Sequence, residues 1–204
     1  MASANFDILH LRFSRMIDDS VTVATADGDQ FSSARRSSWL TQGIRNWVDS
    51  VLSSGDLTPI RGYINVESKA LTASILTLGT SGWTGGVYRI LSAVDTTPTP
   101  DVIVRRMPND LYDYALLGTN KYLIPSATNC YYTEENGTFK LYGGAATDTI
   151  QLTYVKLIPE YTANYASDIV FDTSWYDAIL NFAYSTFAKE YPSQANTARL
   201  MVKQ

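Results

Sequence analysis

The dipeptide Asn136-Gly137 constrains the fold of this chain more than any other feature. A two-residue hairpin turn that matches the twist of its strands needs positive φ at both central positions, and Asn and Gly accept that most readily. Asn129–Thr133 and Thr138–Tyr142 flank it with Tyr, Thr and Phe, so a hairpin is predicted over Tyr131–Gly144, closed by Gly143-Gly144. In Thr149–Ile158, Ile150, Leu152 and Tyr154 alternate with Gln151 and Thr153, the pattern of a half-buried strand. A Pro-led acidic loop, Pro159–Thr173, then leads to an amphipathic helix over Ser174–Tyr191. Its stripe is Tyr176, Ile179, Leu180, Ala183 and Phe187, with Ser174 near the N-cap and Pro192 at the stop.

The N-terminal part reads as two helices. Leu9, Phe13, Met16 and Ile17 share one face of the first, Asn5 or Asp7 can cap it, and it stops at Asp18-Asp19-Ser20, where like charges meet the negative helix end. Asp27-Gly28-Asp29 marks a turn. The second helix starts at Ser32 or Ser33, carries Arg36, Leu40, Ile44, Trp47, Val48, Val51 and Leu52 at helical spacing, and ends at Gly55, where a left-handed C-cap belongs. Trp39 falls off that stripe and is expected to meet a second surface.

Between these halves the period shortens. Tyr63–Val66, Ala73–Leu78, Val87–Ala93 and Val102–Arg105 read as strands whose order in a sheet the residues leave open. Gly79–Gly86 surrounds Trp83 and reads as a flexible loop with that indole exposed, and Thr96–Pro100 as a stiff extended connector. Met107-Pro108-Asn109-Asp110 opens a short predicted helix, Leu111–Leu117, before a strand at Tyr122–Ile124.

Composition narrows the function. With 204 residues and 45% hydrophobic content the chain suffices for one core. Charged residues make up 18%, against a usual share of about a quarter. Fourteen tyrosines and little charge suit a surface that packs against other protein. The net charge of -4 argues against binding nucleic acid by phosphate neutralisation, while an acidic wall would let a polyanion pass without sticking. Cys130 is alone, so no internal disulfide forms, and it is expected as a buried small hydrophobe on a strand. No signal peptide is expected at Met1–Phe13, and no window suggests a membrane span.

Residues for catalysis are sparse. His10 is the single histidine, it lies off the apolar stripe, and it is expected to be partly exposed. No nucleophile elbow accompanies it, and metal or cofactor ligands are not expected. Of the carboxylate pairs, Asp18-Asp19 stops the first helix, Glu134-Glu135 before the hairpin tip reads as solvated, and Asp110 with Asp113 as dipole-matching charge; none is expected to be catalytic. The loop Gly79–Gly86 lacks the Gly-Lys-Ser/Thr ending of a phosphate loop, and Asn136-Gly137-Thr138 is explained by its turn rather than as a glycosylation sequon. Candidate contacts with partners or other subunits are Arg35, Arg36, Trp39 and Trp83, together with Arg199, Leu200 and Met201 of the tail, which reads as either a docking arm or a disordered end. Arg105-Arg106, like Arg35-Arg36, could touch phosphates or acidic partners, or serve as ordinary surface charge.

In order, these elements resemble the head-to-tail connector (adaptor, or neck-ring) proteins of tailed bacteriophages. Asp27-Gly-Asp-Gln-Phe31-Ser32 leads into the long helix, Met107-Pro-Asn-Asp-Leu111 provides the Pro-then-acidic short helix, and Phe139-Lys-Leu-Tyr142-Gly-Gly closes the strand-turn-strand. Ile150-Gln-Leu-Thr-Tyr154-Val-Lys-Leu-Ile-Pro159 matches the apolar-alternating strand that ends in Tyr and Pro, and Asp172–Phe187 the closing helix. The resemblance implies an α+β fold in one adaptor-like domain over residues 1–204. Helices from 1–55 and 172–204 would pack together around a β-rich insertion, 57–158. It also implies a symmetric, typically dodecameric ring in the virion, assembled in the host cytoplasm. That ring would stack between the portal protein and a tail or second neck-ring protein, and packaged double-stranded DNA would pass through without sequence-specific contact. No reaction chemistry is implied.

Two other readings compete. Fourteen Tyr and four Trp on β-rich scaffolding would suit a carbohydrate- or receptor-binding module of a virion. A cell-wall hydrolase would need one of the carboxylates to be essential.

Overall fold

The structure, a computed structural model, describes residues 6–17, 19, 27–28, 30–80, 82–107, 124–161 and 171–195. It is α+β, and the chain divides into two compact units, Met1–Gly62 with Ile158–Gln204, and Tyr63–Leu157. The short helix predicted at Leu111–Leu117, most of the strand at Tyr122–Ile124, and the tail residues Arg199, Leu200 and Met201 lie outside the described residues.

The first unit is helical. Helix α1 (Phe6–Met16) buries Phe6, Leu9, His10, Phe13 and Ser14, one face at spacings of three and four. Helix α2 (Ser33–Ser54) starts at Ser32, whose hydroxyl oxygen accepts the Arg35 N–H at 3.3 Å, and ends at Gly55 with φ 79°. A 3-10 helix, Thr58–Tyr63, leads from it into the strands. Helix α3 (Tyr176–Glu190) buries the predicted stripe, Tyr176, Ile179, Leu180, Ala183 and Phe187, and adds Tyr184. The three helices pack on one another in every pairing.

The boundaries of α3 fall close to expectation. Ser174 lies beside the N-cap, Trp175; Asp172 caps a preceding 3-10 turn, Thr173–Trp175, by accepting the Ser174 N–H at 2.9 Å, and α3 grows out of that turn. The helix stops before Pro192, as expected, and a separate turn follows. Tyr191 leaves the helix (φ -129°, ψ 65°), and Pro192, with its pre-set φ, starts one further turn through Ala195. The Tyr184 hydroxyl donates to the Ala195 carbonyl at 2.6 Å and ties that turn to α3.

The second unit is a seven-stranded sheet in the order β1-β7-β3-β4-β5-β6-β2. Its strands are β1 (Ile64–Ala70), β2 (Ile75–Thr77), β3 (Val87–Asp95), β4 (Val102–Arg106), β5 (Tyr131–Glu135), β6 (Thr138–Tyr142) and β7 (Thr149–Lys156). All neighbours are antiparallel except β4 and β5. The β5–β6 turn has Asn136 at φ 50° and Gly137 at φ 71°, as its sequence requires. β1 runs on to Ala70 because β7 supplies a partner for every residue of it, polar ones included. β2 is shorter than expected because Ala73 and Ser74 take positive φ and turn the chain.

The sheet curls back on itself. Just beyond β2, the Leu78 N–H donates to the Gly137 carbonyl (2.8 Å), and the Val87 N–H opening β3 donates to the Leu78 carbonyl (3.0 Å). The enclosed face holds one apolar cluster that includes Leu76, Ile90, Val104, Tyr132, Phe139, Leu141, Ile150, Leu152 and Tyr154. Cys130 belongs to it, fully buried and directly before β5. Among the described residues, no helix is long and apolar enough to cross a membrane.

Candidate functional site

Three of the predicted contact residues are spent inside the chain. Arg36 has a side chain 0% exposed, and one guanidinium nitrogen donates to Asp19 Oδ2 (2.7 Å) and to the Phe31 carbonyl (2.6 Å). Its place on the apolar stripe of α2 was the signal: a cation there is buried with the helix face and needs an internal anion. Asp19, expected as part of the charge pair that stops the first helix, is that anion, and its other oxygen accepts the Gln30 N–H at 3.0 Å. Trp39 finds its second surface within the helical unit, edge-on to Phe31 (5.1 Å between centroids) and Phe187 (5.3 Å). Its indole N–H donates to Glu190 at 3.1 Å. Arg35 alone stays half-exposed, 5.4 Å above the Trp39 ring and paired with Glu190.

Trp83 is 3% exposed, not displayed on a loop. The Gly-rich segment folds over the sheet, so the indole lies edge-on to Tyr154 (5.4 Å) and its N–H donates to the Thr77 carbonyl at 3.0 Å. Polar groups of β1 fasten it. Glu67 accepts the Thr84 N–H at 3.3 Å, Lys69 Nζ sits 5.8 Å from the Trp83 ring centre, and Asn65 bridges Glu67 and the Tyr154 hydroxyl. The Thr84 bonds hold the Glu67 carboxyl below its usual range.

His10 is buried rather than partly exposed. Its Nε2 faces the Ser33 carbonyl at 3.2 Å, while Nδ1 is buried without a hydrogen-bond partner among the described residues. Desolvation pushes its pKa below the ordinary 6.5 and nearby Arg36 adds to this, against the Ser33 bond and Asp7. An imidazole with no free access to solvent is a poor acid–base catalyst.

One pair of ionisable groups that the sequence did not single out does come together. Asp95, at the end of β3, and Asp148, just before β7, are 1% and 7% exposed, and their carboxyl groups crowd one spot beside Gly144, where a Cβ would stand 2.7 Å from Asp148 Oδ2 and 3.3 Å from Asp95 Oδ2. Asp95 Oδ1 accepts the Thr97 N–H (3.0 Å) and Asp148 Oδ2 accepts the Ala145 N–H (2.6 Å). Burial, and then the neighbouring Asp148, raise the Asp95 carboxyl above its usual range; burial first, and then both carboxyls, raise the Cys130 thiol. The two residues lie 53 positions apart, and only the register that sets Asp95 against Ile150 brings them together. Among the described residues, no three His, Cys, Asp or Glu side chains gather to hold a metal ion.

The outer face of the sheet mixes exposed aliphatic side chains with uncharged polar ones. On the side of the sheet opposite the core, register places Val66 beside Thr153, and Gln151 beside Val94, which stands beside Ile103. Val66 is 52% exposed and Ile103 72%. The four strands β1, β7, β3 and β4 show no carboxylate on this side, only Arg89 and Arg105. Sequence reading missed this face because a strand run of Val-Ile-Val shows which residues alternate, not which side finds a cover.

No protein-family model matches the chain, and no curated protein matches it at a significant level.

Proposed function

We propose that this chain is a structural ring subunit of a tailed-phage neck, assembled between the portal and the next neck or tail protein. The observation that carries the reading is the outer face of β1-β7-β3-β4, with Val66 and Ile103 exposed on a side that lacks carboxylates. A sheet already filled on its inner face gains nothing for its own stability by displaying isoleucine outward; such a surface suits burial against another protein. A ring places each copy between two others, so a subunit built this way spends apolar surface on its neighbours. Helices drawn from both sides of a β-rich middle add support through their likeness to adaptor subunits. In this reading DNA passes through the ring without being bound, consistent with the net charge of -4.

The purified chain, alone and mixed with a portal protein of the same phage, tests this by sedimentation and electron imaging. Rings of uniform size or co-sedimentation with portal are expected. Ile103→Lys with Val66→Lys should abolish both while leaving the melting temperature within a degree or two. A wild-type chain that stays monomeric and ignores portal would sink the proposal. For the carbohydrate-binding alternative, Trp83 faces the core and offers no stacking surface, and a glycan that quenches tryptophan fluorescence of a small, non-oligomeric chain would favour that reading instead.

A further inference from the structure

We propose that Asp95 and Asp148 form a proton-held latch that closes one end of the β-rich unit and opens as the shared proton is lost. The argument stands on geometry and does not depend on the neck-ring reading. Two carboxyl groups can hydrogen-bond to each other only with a proton between them, because two carboxylates offer acceptors alone. Both groups are buried, and no described ion pair involves either one. Among the described residues, the charged groups acting on Asp95 and on the neighbouring Cys130 are carboxyls, with no cation beside them. A second negative charge there would have no partner, so Asp95 holds its proton into the range where exposed aspartates have lost theirs.

The pair sits where several turns meet. Asp95 fixes the β3–β4 turn through the Thr97 N–H, and the Thr97 hydroxyl oxygen accepts the Thr149 N–H at 2.7 Å. Asp148 fixes the approach to β7 through the Ala145 N–H, and its carbonyl accepts the Leu71 N–H (2.8 Å) from the chain leaving β1. Gly144 leaves room for both acids: a Cβ there would stand 2.7 Å from Asp148 Oδ2 and 3.3 Å from Asp95 Oδ2. Removing the proton converts the bond between the acids into repulsion between like charges, and the β3–β4 turn and the loop before β7 are pushed apart. Because folding favours the protonated form, the stabilisation is complete below the pKa of an unfolded aspartate and is lost as pH rises through the raised value in the fold.

Amide hydrogen exchange of the full chain tests the latch, read at Thr97, Ala145 and Thr149 between pH 4.5 and 8 and corrected for intrinsic rates. Wild type should open more readily with rising pH, by up to about tenfold per pH unit while one proton is being lost. Asp95→Asn keeps a neutral donor facing Asp148 and an acceptor for Thr97, so its protection at these amides should be independent of pH. Equal pH dependence in the two proteins would overturn the latch. A second measurement stands even if the variant fails to fold: carboxyl carbon shifts of the wild type, labelled at Asp, should show one of the two groups still protonated above the ordinary aspartate range. Ordinary titration of both would overturn the proposal equally.

Discussion

Gly43 on α2 and Ala183 on α3 touch so closely that a Cβ on Gly43 would lie 2.6 Å from the Ala183 backbone nitrogen. The obstacle is backbone, which cannot rotate away. Gly43→Ala therefore sets two effects against each other. Alanine improves helix propensity by about 1 kcal/mol, whereas forcing extra volume into a packed crossing costs about 1–3 kcal/mol. With backbone as the obstacle the second effect dominates, and urea unfolding should show a net loss of stability. A stabilised Gly43→Ala would mean that the helices do not cross at this point.

The Asp19–Arg36 pair makes a different prediction, because its two single variants and its double variant separate. Both side chains are fully buried, so Asp19→Leu leaves a guanidinium away from water without its carboxylate, and Arg36→Met leaves the carboxylate likewise, each a loss of about 3–5 kcal/mol. Replacing both, with Asp19→Leu and Arg36→Met, removes the desolvation problem as well as the bond and should recover most of that loss. Chemical denaturation of the three variants gives the coupling directly. If the double variant is as unstable as the sum of the singles, the pair is not an isolated buried ion pair.

His10 is the chain's one histidine, so its ring resonances need no assignment by mutation. Its pKa is depressed by burial, so the neutral form is favoured in the folded state. Stability from this group is complete above the unfolded value of 6.5 and declines as pH falls below it. An NMR titration should place the midpoint below 6.5, and His10→Gln should flatten the slope of stability on the acid side. A midpoint at or above 6.5 would show the ring to be solvated. Asp95 acts in the opposite sense, losing its contribution as pH rises, so the two slopes can be told apart.

How much of this was legible in the sequence follows from the range of the interaction that decides each feature. The Asn136-Gly137 turn and the Ser32 and Gly55 caps are settled by backbone angles and bonds within a few residues, and they appear where the residues placed them. The stripes of α2 and α3 were equally readable, but Arg36, spaced with the α2 stripe, was expected to meet partners or solvent and is buried against Asp19. Trp83 was misplaced because a Gly-rich segment looks loose when read alone. Its closure depends on Glu67, Tyr154 and the Thr77 carbonyl, all brought there by sheet pairing. The Asp95–Asp148 contact and the outer face containing Val66 and Ile103 depend on strand order, which no local pattern encodes.

Trp83 makes the strongest claim about surface chemistry. Its ring is enclosed between Lys69 and Tyr154, and among the four tryptophans Trp175 is the one with an exposed side chain, at 36%. Acrylamide should therefore quench a fraction of the fluorescence that disappears in Trp175→Phe, and glycans should leave the Trp83 emission unchanged. Trp83→Phe loses the bond to the Thr77 carbonyl but keeps most of the packing, a cost of about 1 kcal/mol. Trp83→Ala removes the whole ring from the core of the β-rich unit and should cost about 3–5 kcal/mol. A nearly neutral Trp83→Ala variant, or quenching of Trp83 by an oligosaccharide, would put the indole on the surface.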